Sequence, residues 1–322
     1  MHNAAMPDNH DYGVWNQPGV RSVLSIDQIK AINERRDLPG LCFFFGHVAL
    51  MLATAWFVHL SWGSAWVVPA LLLHGLVLVY WFQPFHECAH KTAFKSQWMN
   101  SVVYWFSGVV ALVEPTYFYC EHMQHHRYTQ HPERDPERIS GADSFGGYVL
   151  YLTGLPYFYY QVTAILRHSV GHLYAYETEF VPQTKRKRVR RDAQILLAFY
   201  AALIALSIVF SSWALWVYWL MPRLLAEPFM RAVRLSEHQG TLLTPDLLRN
   251  TRTVKAIWPI QYLGWHACFH AEHHLSPNTP FHAAPRLHKL VVRKLENVSP
   301  NYLSVHRDIS TAIRAGELPR MV

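Results

Sequence analysis

The chain has 322 residues, of which 51% are hydrophobic, and a formal net charge of +7. Its apolar residues concentrate in long uncharged stretches, a pattern typical of integral membrane proteins rather than of soluble domains. The basic residues gather at the ends of these stretches, which argues against nucleic-acid binding. The cysteines show no paired spacing, so we expect no disulfide framework.

The first two apolar stretches, residues 41–60 and 64–82, are separated only by residues 61–63. Each is long enough to cross a hydrocarbon core of about 30 Å as a helix, so they predict a tight helical hairpin. The polar segment before them lacks the basic start and apolar core of a secretory signal. We therefore expect the N-terminus to stay in the cytoplasm.

A second hairpin is predicted from residues 193–211 and from 212 to 225 or slightly beyond. The basic segment 185–191 precedes it, and both hairpin tips are uncharged, so positive-inside logic places the tips away from the cytoplasm. The basic segment can contact anionic lipid head groups or dock an acidic electron donor. Residues 98–113 are short for a span and residues 145–160 are rich in tyrosine, so we expect both at the membrane surface.

These patterns predict an all-α integral membrane protein with four transmembrane helices in two hairpins and a cytoplasmic helical cap. We expect one domain over residues 1–322, in which all segments outside the two hairpins lie on the same side of the membrane. Its parts are a cytoplasmic N-terminal segment (1–40), the first hairpin (41–82), a cytoplasmic or interfacial segment (83–192), the second hairpin (193–232) and a cytoplasmic C-terminal segment (233–322).

Four groups of histidines fall in the segments expected on the cytoplasmic side. They are His86 and His90; His122, His125 and His126; His238; and His270, His273 and His274. Spacings of three and four bring side chains together on a helix, and so many buried imidazoles need a compensating partner. Because nine nitrogens exceed the ligands of one tetrahedral zinc, the groups predict a site for two metal ions.

Acidic residues adjoin these histidines. They are Glu87, Glu121, Glu237 and Glu272, each next to a proposed ligand, and Asp135 beyond the second group. Ligating histidines commonly donate their other N–H to carboxylates, so these are candidates for additional ligands or for supporting groups. Each can equally be an ordinary solvated acid.

Two other functions fit parts of the pattern. The spacing from His86 to His90, with Glu87 between them, also matches the His-Glu-x-x-His signature of a zinc membrane protease. A protease leaves the remaining histidine groups without a role. A metal transporter would need polar residues along its spans, and these offer little beyond His47, His59, His74 and Arg223.

The histidine motifs and the paired hairpins resemble the membrane fatty acid desaturase superfamily over about residues 41–288. His86-Glu-Cys-Ala-His90-Lys is similar to its first histidine box, His122-Met-Gln-His125-His126 to the second, and His270-Ala-Glu-His273-His274 to the third. Glu237-His238 resembles a further motif that alkane hydroxylases share, which implies that His238 is a ligand. His266 stands where many relatives have asparagine, so it is a candidate for a tenth ligand or a supporting group.

The resemblance implies an O2-dependent di-iron oxidoreductase that introduces a double bond into a fatty acyl chain or similar lipid. The alternative is a hydroxylase, or monooxygenase, of a long apolar substrate such as an alkyl chain or carotenoid. The two residues between His122 and His125 favour a desaturase, because alkane hydroxylases usually have three there. The family also implies two iron ions, O2 as co-substrate, an acyl lipid or acyl carrier as substrate, and a separate electron donor of the ferredoxin, rubredoxin or cytochrome type.

Overall fold

The computed structural model describes residues 15, 17 and 19–318, together with the backbone of residues 320–321. Much of the predicted N-terminal segment 1–40 therefore lies outside the described residues. The described part is mostly helical, as predicted. Its strands are two short parallel pairs, β1 (Leu242–Leu243) with β4 (Arg320–Met321) and β2 (Thr253–Val254) with β3 (Val298–Ser299).

The described residues form fifteen α-helices. They are α1 (Ile26–Ile32), α2 (Asp37–Ser61), α3 (Val67–Val79), α4 (Phe82–Ala89), α5 (Gln97–Ala111), α6 (Pro115–Tyr128), α7 (Phe145–Leu152), α8 (Leu155–Ser169), α9 (Glu177–Phe180), α10 (Gln183–Val209), α11 (Met221–His238), α12 (Trp258–Leu263), α13 (His270–Leu275), α14 (Ala284–Val291) and α15 (Tyr302–Ala315).

Three helical segments are long and apolar enough to cross a membrane: α2, the continuous stretch Val67–Ala89 formed by α3 and α4, and α10. Only 17% of the most apolar window of α2 is buried against protein, and the same holds for α10. The corresponding fraction for Val67–Ala89 is 67%. Helices α2 and α10 therefore expose their apolar side chains to lipid, whereas α3 lies between its neighbours.

The second predicted hairpin differs from its sequence-based description. Helix α10 begins at Gln183, so the basic segment 185–191 forms its first turns instead of preceding it. The π-helix Trp216–Leu220 leads directly into α11. Because α11 carries five Arg and Glu side chains, it is not among the three segments of the described chain that qualify as spans by length and composition.

The two hairpins meet where α3 packs against α11. A Cβ atom at Gly75 in α3 would lie 2.1 Å from the carbonyl oxygen of Pro222, so only glycine permits this close approach. Phe85 of α4, Phe118 of α6 and Met230 of α11 share one buried cluster below this contact. This packing brings α4, α6 and α11 together.

Polar groups inside the hairpins satisfy backbone carbonyls. The His47 Nε2 atom lies 2.9 Å from the Val77 oxygen, and the His74 Nε2 atom lies 2.9 Å from the Tyr218 oxygen. Arg223 donates to the carbonyl of Val110 near the end of α5, at 2.9 Å. These side chains thus join neighbouring helices through hydrogen bonds, as expected for packed polar residues in a membrane protein.

Candidate metal centre

The first histidine box lies where the apolar stretch Val67–Ala89 ends. His86 is 2% exposed in α4, and His90 is the residue that caps this helix. Their spacing of four residues places both imidazoles on one face, towards α6 and α13. The box therefore lies at the end of an apolar helical stretch that is long enough to cross a membrane.

Helix α6 begins with Pro115 at its first position, where proline leaves no unsatisfied N–H. The imidazoles of His122, His125 and His126 in this helix contact imidazoles from α4 and α13. Residues one position apart on a helix point about 100° away from each other, since the helix has about 3.6 residues per turn. His122 and His126 consequently face α4, while His125 faces His274.

The nine imidazoles form two groups, and within each group the potential donor atoms lie within 4.8 Å of one another. The first group contains His86, His90, His122, His126 and His273. The second group contains His125, His238, His270 and His274. The second and third boxes therefore each contribute to both groups.

In the first group the Nε2 atoms point at one another. The Nε2 atom of His122 lies 2.9 Å from that of His90 and 3.0 Å from that of His126. The Nε2 atoms of His126 and His273 are 3.1 Å apart. The fifth member, His86, has a buried Nε2 atom without a hydrogen-bond partner among the described residues.

The second group has the same arrangement. The Nε2 atom of His270 lies 3.1 Å from that of His238 and 3.1 Å from that of His274. The Nε2 atoms of His125 and His274 are 3.3 Å apart. His238 is the last residue of α11, so this helix contributes directly to the second group.

The opposite ring nitrogens are bound by acceptors from the cap. The Nδ1 atom of His122 lies 2.7 Å from Glu137 Oε1, and that of His125 lies 2.8 Å from Asp135 Oδ1. The Nδ1 atom of His238 lies 3.2 Å from the carbonyl oxygen of Asn250. Because these oxygens accept hydrogen bonds, the ring proton belongs on Nδ1, and Nε2 presents a lone pair.

Two weaker contacts complete this pattern. The Nδ1 atom of His274 lies 3.1 Å from the Thr129 hydroxyl, which itself donates to the carbonyl of His125 at 2.9 Å. The Nδ1 atom of His86 lies 3.3 Å from Glu87 Oε1. Lone pairs that face each other at about 3 Å repel unless a cation lies between them, so the donor set fits metal ions.

Burial leaves the neutral form favoured for every imidazole in the two groups except His125. It lowers the pKa of His122 to about 3. Burial and neighbouring imidazoles lower the pKa of His126 and His273 well below the ordinary histidine value. Neutral imidazole is the form that binds a metal ion, so the site is prepared for ligation at neutral pH.

The pKa values of His125 and of the neighbouring Glu137 are shifted by nearby charges as well as by burial. Burial would lower the pKa of His125, but Asp135 and Glu137 outweigh it and raise this pKa. Burial would likewise raise the pKa of Glu137, but His122, His125 and Arg234 hold it well below the usual range. Glu137 is therefore ionised, and its carboxylate accepts a hydrogen bond from the Nδ1–H group of His122.

The acids singled out in the sequence divide into two sets. Glu87 and Asp135 contact ring nitrogens of His86 and His125, as described above, and Glu237 Oε2 lies 3.7 Å from His270 Nε2. The remaining two have partners outside the donor groups, namely Tyr117 and Tyr160 for Glu121, and Thr253 and His288 for Glu272.

His266 is not a member of either imidazole group. Its Nδ1 atom lies 3.1 Å from the carbonyl oxygen of Phe281. Together with Glu87, Glu272 and His273, its side chain lines a cavity of about 10 Å³. His266 thus adjoins the centre across a space about the size of one water.

Three partners of the imidazoles, Glu137, Thr129 and Asn250, are not predicted by the sequence pattern. Glu137 lies in the loop after α6, and nothing in its spacing from His122 shows that the chain turns back to this ring. A search for every carboxylate within about fifteen residues of a box would have found Glu137. Asn250 acts through its backbone carbonyl, which residue type cannot reveal.

The fold and the histidine clusters define a multi-pass helical membrane protein that can hold metal ions. Residues 75–306 match the family described as fatty acid desaturase, and the chain belongs to that family. It is accordingly an oxidoreductase of the fatty acid desaturase type.

Individual relatives agree with this membership. The chain is 25% identical over 296 residues to an sn-1 oleoyl-lipid 12-desaturase of Picosynechococcus sp., with 81% of this chain and 76% of the relative covered. It is 26% identical over 118 residues to a Delta(12) fatty acid desaturase of Mortierella isabellina and to one of Mortierella alpina. These two matches cover 32% of this chain and 27% of each relative.

The contrast between Glu137 and Glu121 yields a matched test. Glu137→Gln should weaken metal binding about 10–100-fold, because the amide no longer offers a charged acceptor to His122. Glu121→Gln should leave metal affinity unchanged, since its carboxylate contacts tyrosines. Competition with a chelator of known affinity measures both variants. Equal losses would show that Glu137 does not support His122 specifically.

Acid should release the metal over a narrow pH range. The pKa of His122 is about 3 in the folded protein and about 6.5 in an unfolded chain. The unfolded chain consequently takes up protons first as pH falls, so the stability of the folded site is lost between these values. His126 and His273 act with the same sign, and His125, whose pKa is raised, acts with the opposite sign.

Since several imidazoles change together, metal retained after dialysis should fall more steeply with pH than a one-proton titration. Circular dichroism in the same samples reports whether the helices persist. Replacement of the exposed His59 by glutamine should leave the curve unchanged. A shallow one-proton curve would contradict a centre held by many histidines.

Proposed function

We propose that this protein is an O2-dependent di-iron oxidoreductase that introduces a double bond into the acyl chain of a membrane lipid. The observation that carries the proposal is the meeting of two imidazole groups whose Nε2 atoms face one another. Nitrogen-rich sites of this kind suit iron among the metals used for O2 chemistry. All nine histidines are assigned as ligands in this proposal, five to the first metal position and four to the second.

The side chains around the imidazoles perform distinct tasks. Asp135 and Glu137 hold His125 and His122 in the tautomer that presents Nε2. Phe118 stacks on His122 with ring centroids 5.0 Å apart, and this apolar contact keeps water from that ring. When bound, two iron ions supply the reduction of O2 and the oxidising power to remove hydrogen from an unactivated carbon.

A lipid substrate is supported by the surroundings of the centre. Helices α2 and α10 expose apolar surface to the bilayer, and α4 and α11 lead from the hairpins to the imidazoles. The relative from Picosynechococcus sp. is named for an oleoyl-lipid, which favours an acyl chain carried by a lipid. Loss of two hydrogen atoms, together with two electrons from a separate donor protein and two protons from solvent, balances the reduction of O2 to two water molecules.

The activity is tested by expressing the protein in a host that lacks the product and analysing total lipids by mass spectrometry. The unmodified protein should add double bonds to acyl chains. His273→Ala should abolish this, with a loss larger than the roughly 10–100-fold typical of changes to groups behind metal ligands. His59→Ala, outside both imidazole groups, should retain most activity.

The products also distinguish the alternative reaction. Hydroxylated chains in place of unsaturated ones would replace the desaturase proposal by a hydroxylase. Full activity and unchanged iron content in His273→Ala would refute its role as a ligand. Expression of each variant is verified from the amount of chain in the membrane fraction.

We further propose that the chain forms one domain, 1–322, with hairpins at 41–82 and 193–232 and with the cap and termini in the cytoplasm. The helical continuation from the π-helix into α11 supports a fourth span despite its charged residues, because Arg223 and Arg231 have partners within the protein. The basic first turns of α10 support a cytoplasmic position for that end.

Labelling of introduced cysteines tests this topology, since the native Cys88, Cys120 and Cys268 are buried. In a Cys42→Ser background, Ser64→Cys at the first hairpin tip should react with a membrane-impermeant maleimide in intact spheroplasts, since Ser64 is exposed. Glu133→Cys, exposed in the loop after α6, should react only after lysis. The reverse pattern would place the metal centre on the opposite face of the membrane.

A further inference from the structure

Arg234, in α11, lies between two carboxylates from different parts of the chain. One guanidinium nitrogen donates to Glu237 Oε2 at 2.5 Å, and the other donates to Glu137 Oε2 at 2.6 Å. The side chains of all three residues are largely buried, with that of Arg234 12% exposed. Because arginine stays protonated in proteins, the guanidinium is a permanent charge beside the metal centre.

The two carboxylates belong to different imidazole groups. Glu137 uses its other oxygen to accept from His122 Nδ1 at 2.7 Å, in the first group. Glu237 Oε2 lies 3.7 Å from His270 Nε2, in the second group. A single guanidinium therefore fixes one carboxylate beside each metal position.

The carboxylates also differ in the nitrogen that they face. Glu137 contacts an Nδ1 atom, behind the ring, where it cannot reach a metal held by Nε2. Glu237 lies on the Nε2 side, close to the atoms that would bind a metal in the second group. The second group has four imidazoles against five in the first, so its metal has room for one more donor.

We propose that Arg234 is a positioning residue that keeps Glu237 from binding the metal in the second group. The same side chain holds Glu137 against His122. The two-pronged guanidinium engages both carboxylates at once, and the coordination position near Glu237 stays open for O2 or water. This inference rests on the proposed metal centre.

A purely structural role for Arg234 gives a different expectation. Loss of a buried ion pair lowers stability wherever the pair lies, but it leaves the metal's ligands unchanged. Removal of a restraint on Glu237 instead adds a carboxylate oxygen to the metal. The ligand-field spectrum of bound Co2+, which depends on the number and type of donors, separates these two roles.

The experiment compares the visible spectra of Co2+-loaded protein in detergent for four proteins and one control variant. The four are the unmodified protein, Arg234→Gln, Glu237→Gln and the double variant. Arg234→Gln should shift and weaken the Co2+ bands as coordination number rises, and the double variant should restore the unmodified spectrum. Arg231→Gln, which removes a buried arginine paired with Glu227 on the same helix, should leave the spectrum unchanged.

Two results would overturn the inference: an unmodified spectrum in Arg234→Gln, or an altered spectrum that persists in the double variant. If Arg234→Gln does not accumulate, Arg234→Lys with and without Glu237→Gln makes the same comparison, because lysine keeps the charge but cannot hold both carboxylates as a fork. An unmodified protein that binds no Co2+ would instead refute the proposed metal centre.

Discussion

The burial of neutral imidazoles with their lone pairs directed at one another is the constraint on which the structure depends. Such an arrangement is unfavourable in a dry interior without a cation, because each Nε2 atom loses its water and meets another acceptor. The cap stabilises it by binding the opposite nitrogens through Asp135, Glu137, Thr129 and the Asn250 carbonyl. These contacts fix ring orientation before any metal arrives.

The histidine boxes use helical geometry to serve two positions at once. Adjacent residues such as His125 and His126, or His273 and His274, point to different sides of their helices and enter different imidazole groups. Helices α6 and α13 therefore supply both groups. Helix α4, with its cap His90, supplies only the first group, and α11 supplies only the second.

The sequence was sufficient for the parts of this design that depend on residue type and local spacing. It predicted the histidines, the helical class and the apolar helices α2, α3 and α10, because apolar length and four-residue spacing are local properties. It named Asp135 and Glu87 as candidates, but it did not predict Glu137, Thr129 or the Asn250 carbonyl as partners of Nδ1 atoms, since their positions depend on tertiary packing. Glu121 and Glu137 illustrate the limit: the acid adjacent to His122 in sequence turns towards tyrosines, and the one fifteen residues away binds its ring.

The division of α4 and α11 between the imidazole groups gives the hairpin contact a remote effect on the chemistry. Helix α4 contributes donors to the first imidazole group and α11 to the second, so the relative placement of these donors depends on how α3 approaches α11. At Gly75 that approach leaves no space for a single extra carbon next to Pro222. The relative position of the two imidazole groups is thus set in part where α3 meets α11, by the smallest side chain on that contact, and a methyl group there would push the two helices apart.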